Sequence, residues 1–457
     1  MKGKLYALTV AALILFVVGP STASSLDMPL EGITPGRMKQ LFEDLAAFTD
    51  SAPPSVTRLV FTDTDMQARK HIKQLMTDAG LIIREDAMGN IFGRWQGSDP
   101  DAGVVLSGSH SDSIVLGGRY DGTVGVLGAI SAIKALREAG FKPVKSIEAI
   151  MFSTEEASRF NIPCLGSRGI TGHLDPSILD SYKDENGTSF AEAARAVGYA
   201  AASAQEFADK THWKRTGLKI DAFVELHIEQ GPHLEAEGFD IGIVEAIAAP
   251  SMIRVEFTGK GGHGGGMPML QRNDPSMAAA ELALTIEKAA LGTGASETVA
   301  TVGLWDQSPN IYNAIPRKVQ LDIDIRDTVG ERRDSVIQTA FDSAAEIAAR
   351  RKCGFSTKTL FAYPPGTGDE RILNAIENAS NKLGLSSKRM ISRGYHDAGL
   401  IAQIAPTAMI FIPCRDGLSH HPDEYASPEQ IANGVKILAL TLAQLAGSPS
   451  SEGKDEL

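Results

Sequence analysis

An α/β fold is predicted: a mostly parallel sheet with helices on both faces, interrupted by a smaller α+β domain. Three observations carry that prediction. Strand-like apolar runs alternate with helix-like patterns in the first half of the chain and again near its C-terminal end. Four of those runs finish in ligand-type residues: VVLSGSHSD at His110, SIEAIMFSTEE at Glu155 and Glu156, KIDAFVELHIEQG at His227, and TAMIFIPCRDGLSH at His420. From about residue 250 the texture changes to the order strand, helix, strand, strand, helix, strand, which is that of a ferredoxin-like unit. With 457 residues the chain exceeds one ordinary core, so two domains agree with its length.

In order, residues 35–48 and 65–79 read as amphipathic helices and 82–95 as a strand region. The run at 104–110 ends in Ser-His, and a Gly-rich turn then delivers Asp121 to the mouth of a helix over 123–139. Val124, Leu127, Ile130, Ile133 and Leu136 recur there at helical spacing, and Gly140 with Pro143 ends the helix. In the inserted region MIRVEFTG alternates as a strand, and Asp274 as cap with Pro275 at the first position opens a helix. Strands at 297–305 and 317–325, a helix at 331–351 and a strand at 355–363 follow. The expected division is a signal segment 1–23, a main domain in two parts (24–247 and 363–447), an inserted domain 248–362, and a tail 448–457.

Composition narrows the functional classes. A chain 43% hydrophobic and 22% charged is globular, and a formal charge of -12 with no Lys/Arg-rich block excludes a nucleic-acid backbone as its target. Lys2 and Lys4 before an apolar run 5–18, with Ser21-Thr22-Ala23 after it, form a secretory signal cleaved after Ala23. That run is shorter than the ~18 apolar residues a membrane span needs. The terminal Lys454-Asp455-Glu456-Leu457 is an address for the ER-retrieval receptor, so the expected location is the ER lumen. Three cysteines, Cys164, Cys353 and Cys414, make no disulfide framework. Cys164 and Cys414 both follow Ile-Pro; they read as buried small apolar residues before they read as a pair. Asn186-Gly-Thr and Asn378-Ala-Ser are glycosylation sequons.

The carboxyl ends of strands in an open α/β sheet are where ligands sit, so residues spread over some three hundred positions can converge there. His110, Asp121, Glu156, His227 and His420 form a mixed nitrogen and oxygen set, suited to zinc, manganese or related divalent ions. Five ligands exceed one tetrahedral ion, and Asp121 as a bridge between two ions makes the sum work. Glu155 beside Glu156 is a solvated face in most settings; at a strand end that turns, it is placed to act as general base. Asp112 reads either as the residue that orients His110 or as a turn acceptor. His263 lies among glycines in GKGGHGGGMPM, which allows close backbone approach but also fits a flexible loop. Arg326 ends LDIDIR, as a bidentate partner for a carboxylate or as a surface salt bridge.

In combination, GSHSDS, GGRYDGTVGVLGAI, FSTEEASRF, ELHIEQGPHLE, GGHGGGMPMLQRND, NAIP, DIRD, YHDA and LSHHPDEY resemble the M20 metallopeptidase-like amidohydrolases, in the branch that cleaves N-carbamoyl and ureido compounds. The resemblance runs from about Met38 to Leu445. It implies a zinc-exopeptidase-like fold with an inserted lid that also forms a homodimer, and two divalent ions per subunit, manganese first and zinc second. His110 and His227 would hold one ion, Glu156 and His420 the other, and Asp121 both. Glu155 becomes the base, with Asp112 and His263 assisting, and Gln230, His263, Asn313, Arg326, Tyr395 and His396 fall on substrate-contact positions. The implied substrate is a small ureido acid, ureidoglycolate first, with allantoate or an N-carbamoyl amino acid as alternatives. Ala157 departs from the resemblance, since a Pro commonly follows the paired Glu. A catalytically silent binding protein of the ER, keeping the same fold, is the non-enzymatic alternative.

Overall fold

A computed structural model describes residues 28–448; the signal-like segment and the KDEL terminus lie outside the described residues. The main sheet runs in the order Ile82–Glu85, Ile91–Trp95, Ser146–Phe152, Val104–His110, Ile220–Ile228, Thr407–Ile412, Ile241–Ile247, Gly366–Thr367, with Ser387–Ser392 also paired to Ile241–Ile247. Its four middle strands are mutually parallel, whereas the pairings around Ile91–Trp95 and between Thr407–Ile412 and Ile241–Ile247 are antiparallel. The middle strands are buried almost throughout their lengths, as continuous apolar runs of parallel strands require. Helices Thr123–Glu138 and Pro428–Ala446 cover one face through residues such as Val124, Leu127, Val435 and Leu438. The other face meets the short helices Leu165–Thr171 and Asp397–Ile401 through Ile170, Ala398 and Ile401.

The parallel centre explains the site. All four middle strands point the same way, so their carboxyl ends and the turns after them open on one side of the sheet. Helix Thr123–Glu138 approaches close enough that a Cβ on Gly125 would lie 2.6 Å from the Leu226 carbonyl oxygen.

The inserted region forms a second, antiparallel sheet in the order Gly354–Ala362, Ala249–Thr258, Lys318–Asp327, Val299–Ser308. In chain order, with helices Pro275–Gly292 and Gly330–Arg351, it realises the expected βαββαβ sequence. Val319, Leu321, Ile323 and Ile325 turn toward the helices and close a core of their own, while Gln320, Asp322, Asp324 and Arg326 take the other face.

Two details differ from the sequence expectation. The region 82–95 is a hairpin of two strands, because Gly89 takes a positive φ of 83° and the Asp86 carboxylate accepts the Asn90 N–H at 2.9 Å. Helix ends also shift by one or two residues: the Thr62 cap starts Asp63–Asp78 two residues early, and Pro35–Ala46 stops two residues short. Among the described residues no helix is long and apolar enough to cross a membrane.

Candidate active site

The strand Val104–His110 delivers His110 to the open end of the sheet, and the next residues double back to fix it. His110 Nδ1 lies 2.9 Å from the Asp112 carbonyl oxygen, and His227 Nδ1 lies 2.8 Å from that of Ile228. A carbonyl only accepts, so each Nδ1 carries a proton, and each Nε2 is the nitrogen left to present a lone pair to an ion. Both Nε2 atoms face one carboxylate oxygen, Asp121 Oδ1, at 3.6 and 3.2 Å. The Gly122 N–H also donates toward His227 Nε2 at 3.2 Å, consistent with a lone pair there. The other oxygen, Asp121 Oδ2, lies 3.1 Å from His420 Nε2, which in turn stands 3.3 Å from Glu156 Oε1.

These separations test the fit to metal ions. Two ligands about 2.1 Å from a shared ion sit ~3.0–3.4 Å apart, close to the 3.1–3.6 Å observed between donors. Lone pairs aimed at a carboxylate oxygen repel unless a cation stands between them. The donors fall into two groups, His110–Asp121–His227 and Asp121–Glu156–His420, joined by Asp121. A nitrogen and oxygen set of this kind fits a pair of divalent ions. Asp121 is held for this at its backbone: a Cβ on Gly122, where φ is 64°, would stand 2.3 Å from His110 Nε2, so the residue after Asp121 must be glycine.

Glu155 and Glu156 both face the cavity, because the strand stops at Phe152 and Thr154 takes a φ of 61°. Glu155 Oε2 lies 3.7 Å from His110 Nε2, and Oε1 accepts the Cys164 thiol at 3.5 Å. Burial lifts the Glu155 carboxyl well above its ordinary range, the nearby acids Glu156, Asp397 and Asp121 adding to the effect against His110. Burial would raise Asp121, yet the three histidines together hold it well below its ordinary range. His420 is raised to about 11 by Asp121 and Glu156. His396 is pushed well below its range by burial and by His227, whose ring centroid is 4.5 Å away. Ser392 Oγ donates to the Gly394 carbonyl at 2.9 Å, so His396 Nε2 is the donor in its 3.0 Å bond to Ser392.

The cavity in front of these groups holds about 300 Å³ and is lined by the ligand-type residues, by Gln230, Tyr395 and His396, and on its far side by Asp324 and Arg326 of the second sheet. Gln230 sits deeper than a pure substrate contact, donating from Nε2 to Asp121 Oδ2 at 3.1 Å and to Ser419 Oγ at 3.0 Å. The Tyr395 hydroxyl donates to the Pro364 carbonyl at 3.2 Å, and its ring stacks on Tyr363. Asp112 holds His110 through its backbone carbonyl; its carboxylate accepts the N–H groups of Glu155 and Glu156.

His263 and Asn313 are not brought to this cavity. His263 lies on the short strand Gly262–His263 and Asn313 just before its partner Ala314–Ile315; both are exposed, and neither lines the cavity. Within one chain the glycine-rich turn that carries His263 folds onto itself, Gly265 and Gly266 donating to His263 Nδ1 at 3.1 Å. Conversely, Glu424 was missed. Its Oε1 accepts the N–H groups of Tyr120 and Asp121 at 2.9 and 3.0 Å, and its Oε2 accepts the Ser419 hydroxyl, so it anchors the bridging residue from behind. The signal was its place in LSHHPDEY, four residues after His420. The cysteines are free; Cys414 donates to the Leu418 carbonyl.

Comparison with known proteins agrees with this geometry. Ureidoglycolate hydrolase of Oryza sativa subsp. japonica is 49% identical over 89% of this chain and 84% of its own length. The enzyme of the same name from Arabidopsis thaliana is 48% identical over 93% of this chain and 88% of its own length. A solved structure of AtUAH in complex with (S)-hydroxyglycine matches with a TM-score of 0.79 at 46% identity, covering 92% of this chain and 100% of that one. Residues 108–444 match peptidase family M20/M25/M40. A two-sided Asp121 between two ligand groups, on the open end of a parallel sheet, is thus the site of a chain that belongs to the M20 family.

Proposed function

We propose that this chain is a metal-dependent amidohydrolase that converts ureidoglycolate and water to glyoxylate, carbon dioxide and two ammonia. The observation that carries the reading is the pair of ligand groups sharing Asp121, with Glu155 beside them. The ureidoglycolate hydrolases at 49% and 48% identity support the choice of substrate. Divalent ions held there, manganese in our proposal with zinc as the alternative, would polarise the ureido carbonyl and acidify a water.

The chain's own residues supply the rest. Glu155 takes a proton from the attacking water and passes it to the departing terminal nitrogen, the direction of its pKa shift favouring proton uptake. Ammonia leaves, the carbamate loses carbon dioxide, and a carbinolamine remains that collapses to glyoxylate and a second ammonia. The (S)-hydroxyglycine bound in the AtUAH structure is such a carbinolamine, which supports this order. Arg326 receives the substrate carboxylate, and His396, neutral and fixed by Ser392, offers a ring nitrogen to the cavity.

The proposal extends to a lid at 248–362 and a homodimer through it. Its support is the cluster of exposed apolar side chains near His263 and Asn313, with Leu270 100% and Tyr312 98% exposed. Across such an interface His263 and Asn313 would serve the partner's cavity, His263 donating to the oxyanion. Location in the ER lumen rests on the two terminal sequences alone.

The test is ammonia release, measured side by side from ureidoglycolate, allantoate and N-carbamoyl amino acids with manganese- or zinc-loaded protein. Preference for either of the other substrates overturns the choice of ureidoglycolate. No turnover of any of them by metal-loaded protein favours the silent binding protein.

A further inference from the structure

Asp324 and Arg326 stand two residues apart on the strand Lys318–Asp327 and therefore share a face, the one turned away from the helices of the small sheet. They pair across the sheet with Met252 and Pro250, and all four residues line the cavity opposite the ligand groups. A guanidinium has five N–H donors in a rigid fork. Arg326 Nε donates to Asp324 Oδ2 at 2.9 Å and Oδ1 at 3.2 Å, and Nη2 donates to Oδ2 at 2.7 Å. Nη1 donates to the Arg393 carbonyl at 3.1 Å. Three donors are engaged, which leaves one N–H on each terminal nitrogen. The edge between the two terminal nitrogens is the one a carboxylate takes end-on in a parallel fork.

We propose that Asp324 is a positioning residue: it occupies the Nε edge of Arg326 so that only the terminal pair of N–H groups is offered to a substrate carboxylate. The proposal rests on the reading of Arg326 as the carboxylate partner. Two consequences follow from the geometry. The ion pair with Asp324 cancels most of the Arg326 charge, so an arriving anion is selected by aimed hydrogen bonds more than by a bare cation. The bond to the Arg393 carbonyl also ties the fork to the loop that carries Tyr395 and His396. That loop is tightly fitted: a Cβ on Gly394 would lie 3.2 Å from Gln230 Oε1 and 3.3 Å from His396 Nε2. Arg393 itself donates back to the Ser296 carbonyl of the small domain, so the fork is braced from both sides of the cavity. Without Asp324, the guanidinium keeps one side-chain rotor unrestrained and presents either edge.

The experiment is steady-state kinetics with ureidoglycolate on the metal-loaded full chain, comparing Asp324→Ala, Arg326→Ala and the double variant. Asp324→Ala is expected to raise KM about tenfold with kcat within about threefold of the unaltered protein, the signature of lost binding rather than lost chemistry. The double variant is expected to match Arg326→Ala alone, because Asp324 acts through Arg326 and the two losses do not add. If Asp324→Ala fails to fold, Asp324→Leu, close in size and without an acceptor, carries the same comparison. An unchanged KM in the Asp324 variant beside a raised KM in Arg326→Ala overturns this proposal alone. Fully additive losses do the same, since they mark a merely structural role. An unchanged KM in Arg326→Ala overturns both the proposal and the carboxylate reading beneath it.

Discussion

The Asp112 carboxylate accepts the backbone N–H groups of Glu155 and Glu156 at 3.2 and 3.0 Å, while the carbonyl of the same residue lies 2.9 Å from His110 Nδ1. One residue therefore fixes the ring of one ligand and the peptide that carries both acids. Asp112→Ala leaves the Glu155 and Glu156 N–H groups, the second of them buried, without this acceptor and frees their turn. Loss of such a supporting contact typically costs 10–100-fold in activity or metal affinity, and a loss of that order is the expected outcome, read as turnover and bound metal per chain. Because the carbonyl remains, His110 should stay oriented, and the larger effect should fall on turnover.

Glu155 stands next to the ligand groups, and its carboxyl is buried. Glu155→Gln keeps the shape and removes the base. Turnover is expected to fall by ~10²–10⁴, with metal content unchanged by elemental analysis. Near-normal turnover in a metal-loaded variant removes Glu155 from the mechanism.

His110, Asp121, Glu156, His227 and His420 were legible because each follows a strand whose apolar run is plain, and parallel strands bring their ends together. The βαββαβ order of the second sheet was legible for a similar reason, since alternating strands such as Lys318–Asp327 show their period directly. What escaped depends on direction and distance. Sequence spacing could not tell that the Asp112 carboxylate, 3.6 Å from His110 Nδ1, also serves the Glu155–Glu156 peptides. Nor could it tell that Gln230 reaches Asp121 with its amide. Glu424 is one acid among several in a polar segment, and only the fold turns it onto the Asp121 backbone. His263 lies in a conspicuous motif, yet its turn is exposed and points outside its own cavity.

Chelation gives a stability prediction. The two groups around Asp121 place lone pairs and carboxylates face to face, an arrangement that ions relieve. Removing metal with EDTA is expected to abolish ammonia release and lower the midpoint of thermal unfolding. Refilling to a hundredfold excess over Kd should restore about 3 kcal/mol. Restoration of activity by manganese but not zinc, or the reverse, identifies the working ion. A melting curve indifferent to chelator and metal contradicts the assigned site.

Behind the ligands lies a buried acid pair. Glu225 accepts the Ser109 hydroxyl at 2.6 Å and the Ala398 N–H at 3.0 Å, whereas Asp397 is bonded to the Ser167 hydroxyl and its Oδ2 has no hydrogen-bond partner. Burial, then the nearby Glu225, raises Asp397 to about 8. A raised carboxyl binds its proton more tightly in the folded chain than in the unfolded one. Its contribution to stability is thus complete below the unfolded value near 4 and is lost as pH climbs toward 8. Metal-free protein is expected to lose unfolding free energy from pH 5 to 9, and Asp397→Asn, which imitates the neutral acid, should flatten that slope. Identical slopes for both proteins would assign the dependence to other groups.

The exposed position of His263 leads to a mixing experiment. If His263 serves a partner's cavity, a dimer of one Glu155→Gln subunit and one His263→Ala subunit keeps one complete site: the intact Glu155 of the second subunit with the intact His263 of the first. Each variant alone has none. Random reassortment of equal amounts makes half the dimers mixed, so about a quarter of the unaltered activity should return on mixing. The recovery should require subunit exchange, and should therefore vanish when the two proteins are cross-linked as separate homodimers beforehand. If His263 instead works within its own chain, every site in the mixture lacks one of the two residues and activity stays at the level of the separate variants.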